Sequence, residues 1–339
     1  MATLAADYTL LEQAKRIDPE GRQAIIAEIM AKEMSLLMDM PFFPSNDIWS
    51  HKSVRRANLP SGTWRGLNEY VSGKKSQVDE ILDVVSICEV FAAYDIEYIN
   101  NMPDPKQARL DEATAFIEGL AQELCSAFLY SNNKTSPKKP HGIAPRLNAL
   151  SRYVVDAGGA AALTSIYVVG WDKMGVFAVY PKNSEAPGSA NGYPIIHTDL
   201  GERVDVNSDG NKLRVYEDNF KIKGGFVVRD PRYLGRVANV PSGTADAVAF
   251  ENNLITLIDR MRIVQSGQTK EGAIAAGTVI YMNETIMSAC RIRMKDKNNV
   301  HWGPGKGAGL FGAPVMFFDE IPIRKVDSSI LLNAEVVVV

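Results

Sequence analysis

The chain has 339 residues, of which 46% are apolar, 23% charged and 8% aromatic, and its formal net charge is −3. This length predicts about two packing units, and this composition excludes wholesale disorder, a collagen-like fibre and a disulfide scaffold. The slightly negative charge argues against sequence-specific DNA binding, because such binding gains affinity from clustered lysine and arginine side chains.

Three further features of the sequence bear on where the protein works. No apolar run approaches the roughly 18 residues of a membrane-spanning helix. The N-terminus lacks the basic, apolar and small-residue order of a secretory signal. Cys88, Cys125 and Cys290 are odd in number and widely spaced, which is typical of small buried side chains in a reducing compartment. We therefore expect a protein of the cell interior with no membrane partner.

The first fifty residues predict a helical arm. Thr9 and Glu12 form a capping box, and Asp18 before Pro19 begins a second helix that is expected to end near Pro41. Apolar residues recur along this second helix at helical spacing, namely Ile25, Ile26, Ile29, Met30, Met34 and Leu37.

The next stretch predicts an extended ribbon. The β-prone segments His51–Leu59 and Thr63–Val71 flank the turn residues Pro60, Ser61 and Gly62, which is a hairpin pattern. Neither segment has enough apolar surface to fold the ribbon alone, so it needs another surface to lie on.

Charge is unevenly distributed between these two regions. Residues 1–50 carry four basic and eight acidic side chains, whereas residues 51–77 carry six basic and one acidic. The asymmetry indicates either two segments that attract each other or chance variation on solvated surfaces.

A long helix is the clearest element of the sequence. Asp104 is suited to the N-cap and Pro105 to the first helical position. Apolar residues at three- and four-residue spacing extend the helix to about Ser131, a length of roughly 40 Å. The polar, proline-containing stretch 132–140 predicts a boundary after it.

Residues 150–300 predict a mixed α+β unit. The expected strands are Ser165–Gly170 paired with Val176–Tyr180, then Asn219–Val228 and Thr278–Met282; the expected helices are Leu254–Val264 and Glu284 to about Lys295. After a glycine-rich segment, 303–312, closing strands are expected at Val315–Phe318, Ile321–Val326 and Ala334–Val339.

The motifs that could carry chemistry are weak. Gly307–Gly312 matches a dinucleotide fingerprint as a string but leads into a strand instead of a helix. Asp205–Gly210 imitates a calcium loop whose twelfth position is Tyr216, which is not a ligand. The four histidines do not fall at metal-ligand spacing. We therefore assign no catalytic residue, no cofactor and no metal ligand.

Several strings in consistent order, across nearly the whole chain, resemble the major capsid proteins of tailed bacteriophages, with the HK97-like fold. The resemblance is closest to a family from short-tailed phages. The strings are YTLLEQAK at 8–15, LPSGTWRGLN at 59–68, IYVVGW at 166–171, GGFVVRDPRY at 224–233, RVAN at 236–239, YMN at 281–283 and IPIRKVD at 321–327.

The resemblance implies an α+β fold with named parts. These are an N-terminal arm (1–47), an extended E-loop hairpin (48–78), a peripheral domain (79–149) with a spine helix (105–131), an axial domain (150–300) and a return to the peripheral domain (301–339).

The resemblance also implies a function and a set of partners. The subunit would assemble in the host cytoplasm into the icosahedral shell of the virion, which encloses packaged double-stranded phage DNA. Its partners would be its own copies in pentamers and hexamers, a scaffolding protein, the portal protein, a decoration protein, and DNA held without sequence preference.

Four ribbon residues are our candidates for inter-subunit contacts: Arg55, Arg56, Trp64 and Arg65. The alternative is that they line solvent or contact their own subunit. Some relatives of the fold form lysine-to-asparagine cross-links, for which Lys74 or Lys75 could serve, although no pattern demands it.

Two other functions remain open at this point. An encapsulin-like shell would share the fold but enclose a cargo protein, and an α+β enzyme would need a site that the sequence does not reveal.

Overall fold

The computed structural model describes residues 35–160, 162–182, 195–206, 210–242, 248–264, 267–268, 274–275, 277–293, 302–304 and 316–338. The predicted capping box at Thr9, the helix from Pro19 as far as residue 34, and the Gly307–Gly312 string lie outside these ranges. No helix within them is long and apolar enough to cross a membrane.

Five α-helices, two short 3-10 helices (Ala144–Leu147 and Pro231–Tyr233) and sixteen strands make up this part of the chain. The α-helices are α1 (Ser35–Asp39), α2 (Ile96–Asn100), α3 (Pro105–Tyr130), α4 (Val248–Arg260) and α5 (Glu284–Arg293). The strands are β1 (Phe42–Pro44), β2 (Ser50–Asn58), β3 (Gln77–Val84), β4 (Ser86–Asp95), β5 (Val154–Asp156), β6 (Leu163–Trp171), β7 (Val176–Tyr180), β8 (Ile195–Val206), β9 (Lys212–Val228), β10 (Leu234–Pro241), β11 (Gly267–Gln268), β12 (Ile274–Ala275), β13 (Gly277–Asn283), β14 (Trp302–Pro304), β15 (Met316–Phe318) and β16 (Ile321–Val326).

Twelve of the described strands form one mixed sheet. Its main path runs β14-β15-β16-β13-β6-β7-β9-β4. At its sides β1 pairs with β7, β10 pairs with β6 and β5, and β8 pairs with β9. Strands β2 and β3 form a separate two-stranded sheet, as do β11 and β12.

Strand β6 is buried along its whole length because both of its faces are covered. Tyr167 and Trp171 face a core that includes α3. Ile166 and Val168 face a second core that includes α4 and α5. A strand buried on two sides has a continuous apolar run instead of an alternating one, which is the pattern of this segment.

Helix α3 confirms the predicted long helix and its start. The side chain of Asp104 accepts hydrogen bonds from the amides of Lys106 (3.1 Å) and Gln107 (3.2 Å), and Pro105 is the first helical residue. The buried face of the helix packs on β4 and β9, where the rings of Phe128 and Phe226 lie 5.8 Å apart.

Some predicted elements differ from those in the structure. The segments expected to pair as a hairpin are β6 and β7, but they meet only at Trp171 and Val176, because β7 continues along β9. Helix α4 begins at Val248, six residues before the predicted start. It ends at Arg260 instead of Val264, because the Arg262 amide leaves the helix and donates to the carbonyl oxygen of Arg232 (2.9 Å).

The predicted closing strand at Ala334–Val339 is wrong for its described part, 334–338, which forms no strand. The amide of Glu335 donates to the carbonyl oxygen of Leu163 (2.8 Å), and that of Val338 donates to Oδ1 of Asn239 (2.9 Å). Nδ2 of Asn239 also donates to the carbonyl oxygen of Val338 (2.9 Å). The segment is therefore held by separate hydrogen bonds to β6 and β10 and not by a strand ladder. Strand β8 was not predicted, and β9 begins before the predicted Asn219.

Candidate inter-subunit surface

Strands β2 and β3 form an antiparallel hairpin. Ser50 lies opposite Val84, and the ladder continues to Asn58 opposite Gln77. The prediction that Thr63–Val71 forms the second strand is therefore wrong, because these residues lie in the connecting loop.

Opposite charges face each other across the observed register. Arg55 lies directly opposite Asp79, and Nζ of Lys52 is 3.5 Å from Oε1 of Glu80. Opposite charges across an antiparallel pair stabilise that pairing. In the loop, Asn68 has a positive φ of 64°, which interrupts any strand there.

One face of the hairpin lies on the body of the subunit. Asp83 is 3% exposed, and its Oδ1 accepts a hydrogen bond from Nη2 of Arg146 (2.6 Å). The same guanidinium donates to the carbonyl oxygens of His141 (3.1 Å) and Phe226 (3.2 Å). This ion pair therefore fixes the hairpin to the chain segments that follow α3 and form β9.

Two residues of β2 also contact the body. The ring of His51 packs edge-on against that of Phe177, with centroids 5.4 Å apart. Nε of Arg55 donates to the carbonyl oxygen of Arg229 (2.8 Å), and its Nη2 contacts that of Val228. Arg55 thus has partners in its own subunit, as the alternative interpretation stated.

Residues 59–76, here called the tip loop, are exposed throughout. Trp64, Leu67 and Tyr70 have exposed fractions of 100%, 98% and 102%, and Leu59 is 71% exposed. Large apolar side chains grouped on one exposed segment mark an interaction surface more often than single exposed residues do.

Hydrogen bonds inside the tip loop define its shape. Oε2 of Glu69 accepts from the amide of Gly66 (2.7 Å), and its carbonyl oxygen accepts from Nη1 of Arg65 (3.2 Å). Nζ of Lys74 donates to the carbonyl oxygen of Ser61 across the loop (3.0 Å). These contacts stay within the loop and leave its apolar side chains uncovered.

The four candidate residues do not form a single site. Arg55 lies at the base of the hairpin against the body, whereas Arg56 is exposed on β2. Trp64 and Arg65 are exposed in the tip loop. Their role in contacts between subunits stays a prediction.

A polar cluster at the base of the hairpin was missed by sequence reasoning. We call His51, Ser53, Asp83, His141 and Arg146 the base cluster. Two features of the sequence could have predicted part of it. His51, Ser53 and Arg55 alternate on one face of β2. The basic strand β2 is followed by an acidic segment, β3, at a sequence separation that allows the two to pair as a hairpin.

Comparisons with known proteins assign the chain to a family. The family model described as "Major capsid protein GP7" matches residues 18–339. A chain of bacteriophage Epsilon15 is similar over 100% of this chain and 99% of its own, with 22% identity and a TM-score of 0.72.

More distant similarities carry no argument about function. A chain of the bacteriophage JBD30 capsid has 11% identity and a TM-score of 0.48, over 93% of this chain and 99% of its own. The SrpI encapsulin of Synechococcus elongatus has 8% identity and a TM-score of 0.45, over 69% and 96%. A search of curated proteins found no significant match.

The family match covers all the elements described above, and the similarity to the Epsilon15 chain shows that they are arranged in the expected HK97-like fold. The chain therefore belongs to the major capsid protein GP7 family, whose members form the icosahedral head shell of phages.

Proposed function

We propose that the tip loop of each subunit lies on a neighbouring subunit of the head shell and holds the two together. In a shell built from one protein, copies of the same chain surround every subunit. The observation that carries the proposal is that Trp64, Leu67 and Tyr70 are left fully exposed by their own chain.

Burial of these side chains would supply a modest favourable free energy to each contact between subunits. Full burial of one large apolar side chain contributes about 1.5–3 kcal/mol. A contact made by three or four such residues is weak by itself, since association also costs translational and side-chain entropy. Closure of the shell links many such contacts, so the assembly is stable although each contact is weak.

The test is to remove the two aromatic side chains together, in the variant W64A/Y70A. We expect the free energy of unfolding of the unassembled subunit to change by less than about 0.5 kcal/mol, because both residues are exposed. We expect the yield of closed particles to fall by roughly tenfold or more, because aromatic residues dominate such contacts. Sedimentation and electron microscopy measure the yield.

The matched control is K75A, which removes another exposed side chain from the same loop without removing an aromatic ring. Its particle yield should stay close to that of the unchanged protein. Normal particle yield from W64A/Y70A, or a loss that K75A shares in full, would show that the aromatic residues do not make the contact.

The wider set of partners forms part of this proposal. The subunits form pentamers and hexamers of an icosahedral lattice in the host cytoplasm, with a separate scaffolding protein, a portal protein and a decoration protein. The shell encloses DNA without sequence-specific contacts. Membership of a structural capsid family argues against the enzyme alternative.

We further propose the division into arm, E-loop, peripheral domain and axial domain, with one change to its limits. Strand β9 pairs with β4 from Gly224 opposite Ser86 to Val215 opposite Asp95, and α3 packs on both strands. This packing supports assigning β8 and β9 to the peripheral domain, although they lie within the range 150–300.

A further inference from the structure

The base cluster contains buried polar atoms that have no hydrogen-bond partner within the described chain. These are Oδ2 of Asp83, Oγ of Ser53 and the Nδ1 atoms of His51 and His141. Asp83 and Ser53 are 3% and 4% exposed. Buried polar groups are nearly always paired, and an unpaired one costs about 1–3 kcal/mol. The cluster is therefore a weak point in the attachment of the hairpin.

Positive charge exceeds negative charge around the two histidines. The charge of Asp83 on β3 acts on both rings, and Asp83 is already paired with Arg146. The other charged groups that act on the two histidines or on neighbouring Arg55 are Arg146 before β5, Lys134 after α3, and Arg229 and Asp230 after β9. Asp230 itself pairs with Arg232 (2.7 Å). An added proton on either histidine would thus enter surroundings that are already positive.

Burial and the excess of positive charge lower the pKa of both histidines. Burial lowers the pKa of His51 below 6.5, Arg229 lowers it further, and Asp83 opposes the change. Burial also lowers the pKa of His141, as do Arg146 and Lys134, again opposed by Asp83. Both rings are therefore neutral at pH 7 while the hairpin lies on the body. Within the described chain, no group of three or more His, Cys, Asp or Glu side chains is placed to hold a metal ion.

We propose that the base of the β2–β3 hairpin is a proton-operated hinge, which is closed while His51 and His141 are neutral and opens when they are protonated. The inference goes beyond the docking of the tip loop on a neighbour. It concerns the attachment of the hairpin to its own subunit, so it can hold or fail independently of that docking.

The direction of the pH effect follows from how many protons the open and the closed hinge bind. When the base opens and takes up water, both histidines regain an ordinary pKa of about 6.5. The open state then binds more protons than the closed one. Closure is fully favoured above pH 6.5 and weakens as the pH falls through this value. Each histidine can shift the equilibrium by at most about tenfold per pH unit.

Hydrogen exchange of the unassembled full chain, followed by mass spectrometry, tests the hinge. Rates at pH 5.5 and 7.5 are corrected for the intrinsic pH dependence of exchange. The protection of residues 50–58 and 77–84 should fall on going to pH 5.5, by up to about tenfold for each histidine. The protection of β6 and β13 should not change, because these strands lie far inside both cores.

Variants distinguish the contribution of the two histidines from other causes of a pH-dependent loss of protection. H51Q/H141Q should show no extra loss of hairpin protection at pH 5.5, whereas the control H197Q should behave like the unchanged protein. If the double variant does not fold, H141Q alone should lose about half of the effect on a logarithmic scale. The proposal is overturned if the hairpin and β6 of the unchanged protein show the same pH dependence, or if a folded H51Q/H141Q keeps the full effect.

Discussion

At the level of single residues, one buried carboxylate holds the C-terminal segment of the described chain in place. The side chains of Glu335 and Arg236 are both 5% exposed, and Oε2 of Glu335 lies 2.8 Å from Nη2 of Arg236. Glu335 also accepts hydrogen bonds from the hydroxyls of Tyr130 (2.5 Å), Tyr167 (3.3 Å) and Ser165. Burial and the nearby carboxylate raise the pKa of Tyr130, so its hydroxyl stays a donor.

Removal of this carboxylate should strongly destabilise the subunit. E335A leaves the charge of Arg236 buried without a carboxylate partner, which costs about 3–5 kcal/mol in such pairs. Urea unfolding of the unassembled subunit measures the change in the free energy of unfolding. The control V336A truncates the next side chain, which is 86% exposed, and should change it by less than about 0.5 kcal/mol. Equal stability of the two variants would contradict the assigned role.

This contact could not be predicted from the sequence. Arg236 belongs to one of the strings that carry the family resemblance, but its partner is 99 residues further along the chain. The sequence around Glu335 predicts a closing strand, and local propensity contains no information about a distant arginine. The base cluster escaped prediction for the same reason, because Asp83 and His141 meet only in the folded chain.

At the level of elements, the end of α3 depends on a close approach of the backbone. The amide of Ile143 donates to the carbonyl oxygen of Phe128 (2.8 Å), and the amide of Gly142 donates to that of Ser131 (2.8 Å). A Cβ atom at Gly142 would lie 2.8–3.0 Å from three carbonyl oxygens in the last turns of the helix. Only glycine fits this position without a shift of the backbone.

Two glycine substitutions should therefore have opposite effects. G142A forces the chain away from α3 and should reduce the free energy of unfolding by about 1–3 kcal/mol. G119A lies within α3 with open space around the new methyl group, and should increase it by about 0.5–1 kcal/mol through helix propensity. Thermal or urea unfolding of both variants checks the pair. An unchanged stability of G142A would show that the close approach at Gly142 does not exclude a side chain there.

Elements differ in how far the sequence predicts them. Helix α3 was predicted to within one residue because its cap, its proline and its apolar spacing are all local signals. The second strand of the hairpin was misplaced because Trp64, Tyr70 and Val71 have high β propensity. The strand that pairs with β2 is β3, whose Asp83 forms an ion pair with Arg146 of the body, and this long-range contact leaves no local signal in the sequence.

At the level of the whole molecule, the net charge of −3 fits a container more closely than a DNA-binding protein. Affinity for the phosphate backbone requires many lysine and arginine contacts and falls steeply with salt. Within the tip loop three basic side chains and one acidic side chain leave only a small positive excess. DNA inside the shell is therefore expected to be held by enclosure.

The unassembled subunit should consequently bind double-stranded DNA only weakly at about 150 mM salt. An electrophoretic mobility assay at micromolar protein should show no defined complex, while low salt should reveal weak binding without sequence preference. A saturable complex at physiological salt would mean that the subunit itself binds DNA, against this expectation.

Strands β6 and β13 contribute side chains to both cores, and this arrangement affects how a subunit responds to mechanical force. Val279 and Tyr281 of β13 pack on one side of the sheet and Ile280 and Met282 on the other, as the alternate residues of β6 do. Because the same two strands supply both cores, we expect the two cores to unfold together. We therefore expect the main sheet of a subunit stretched within the wall of the head to resist as one unit and to pass the force on to its neighbours.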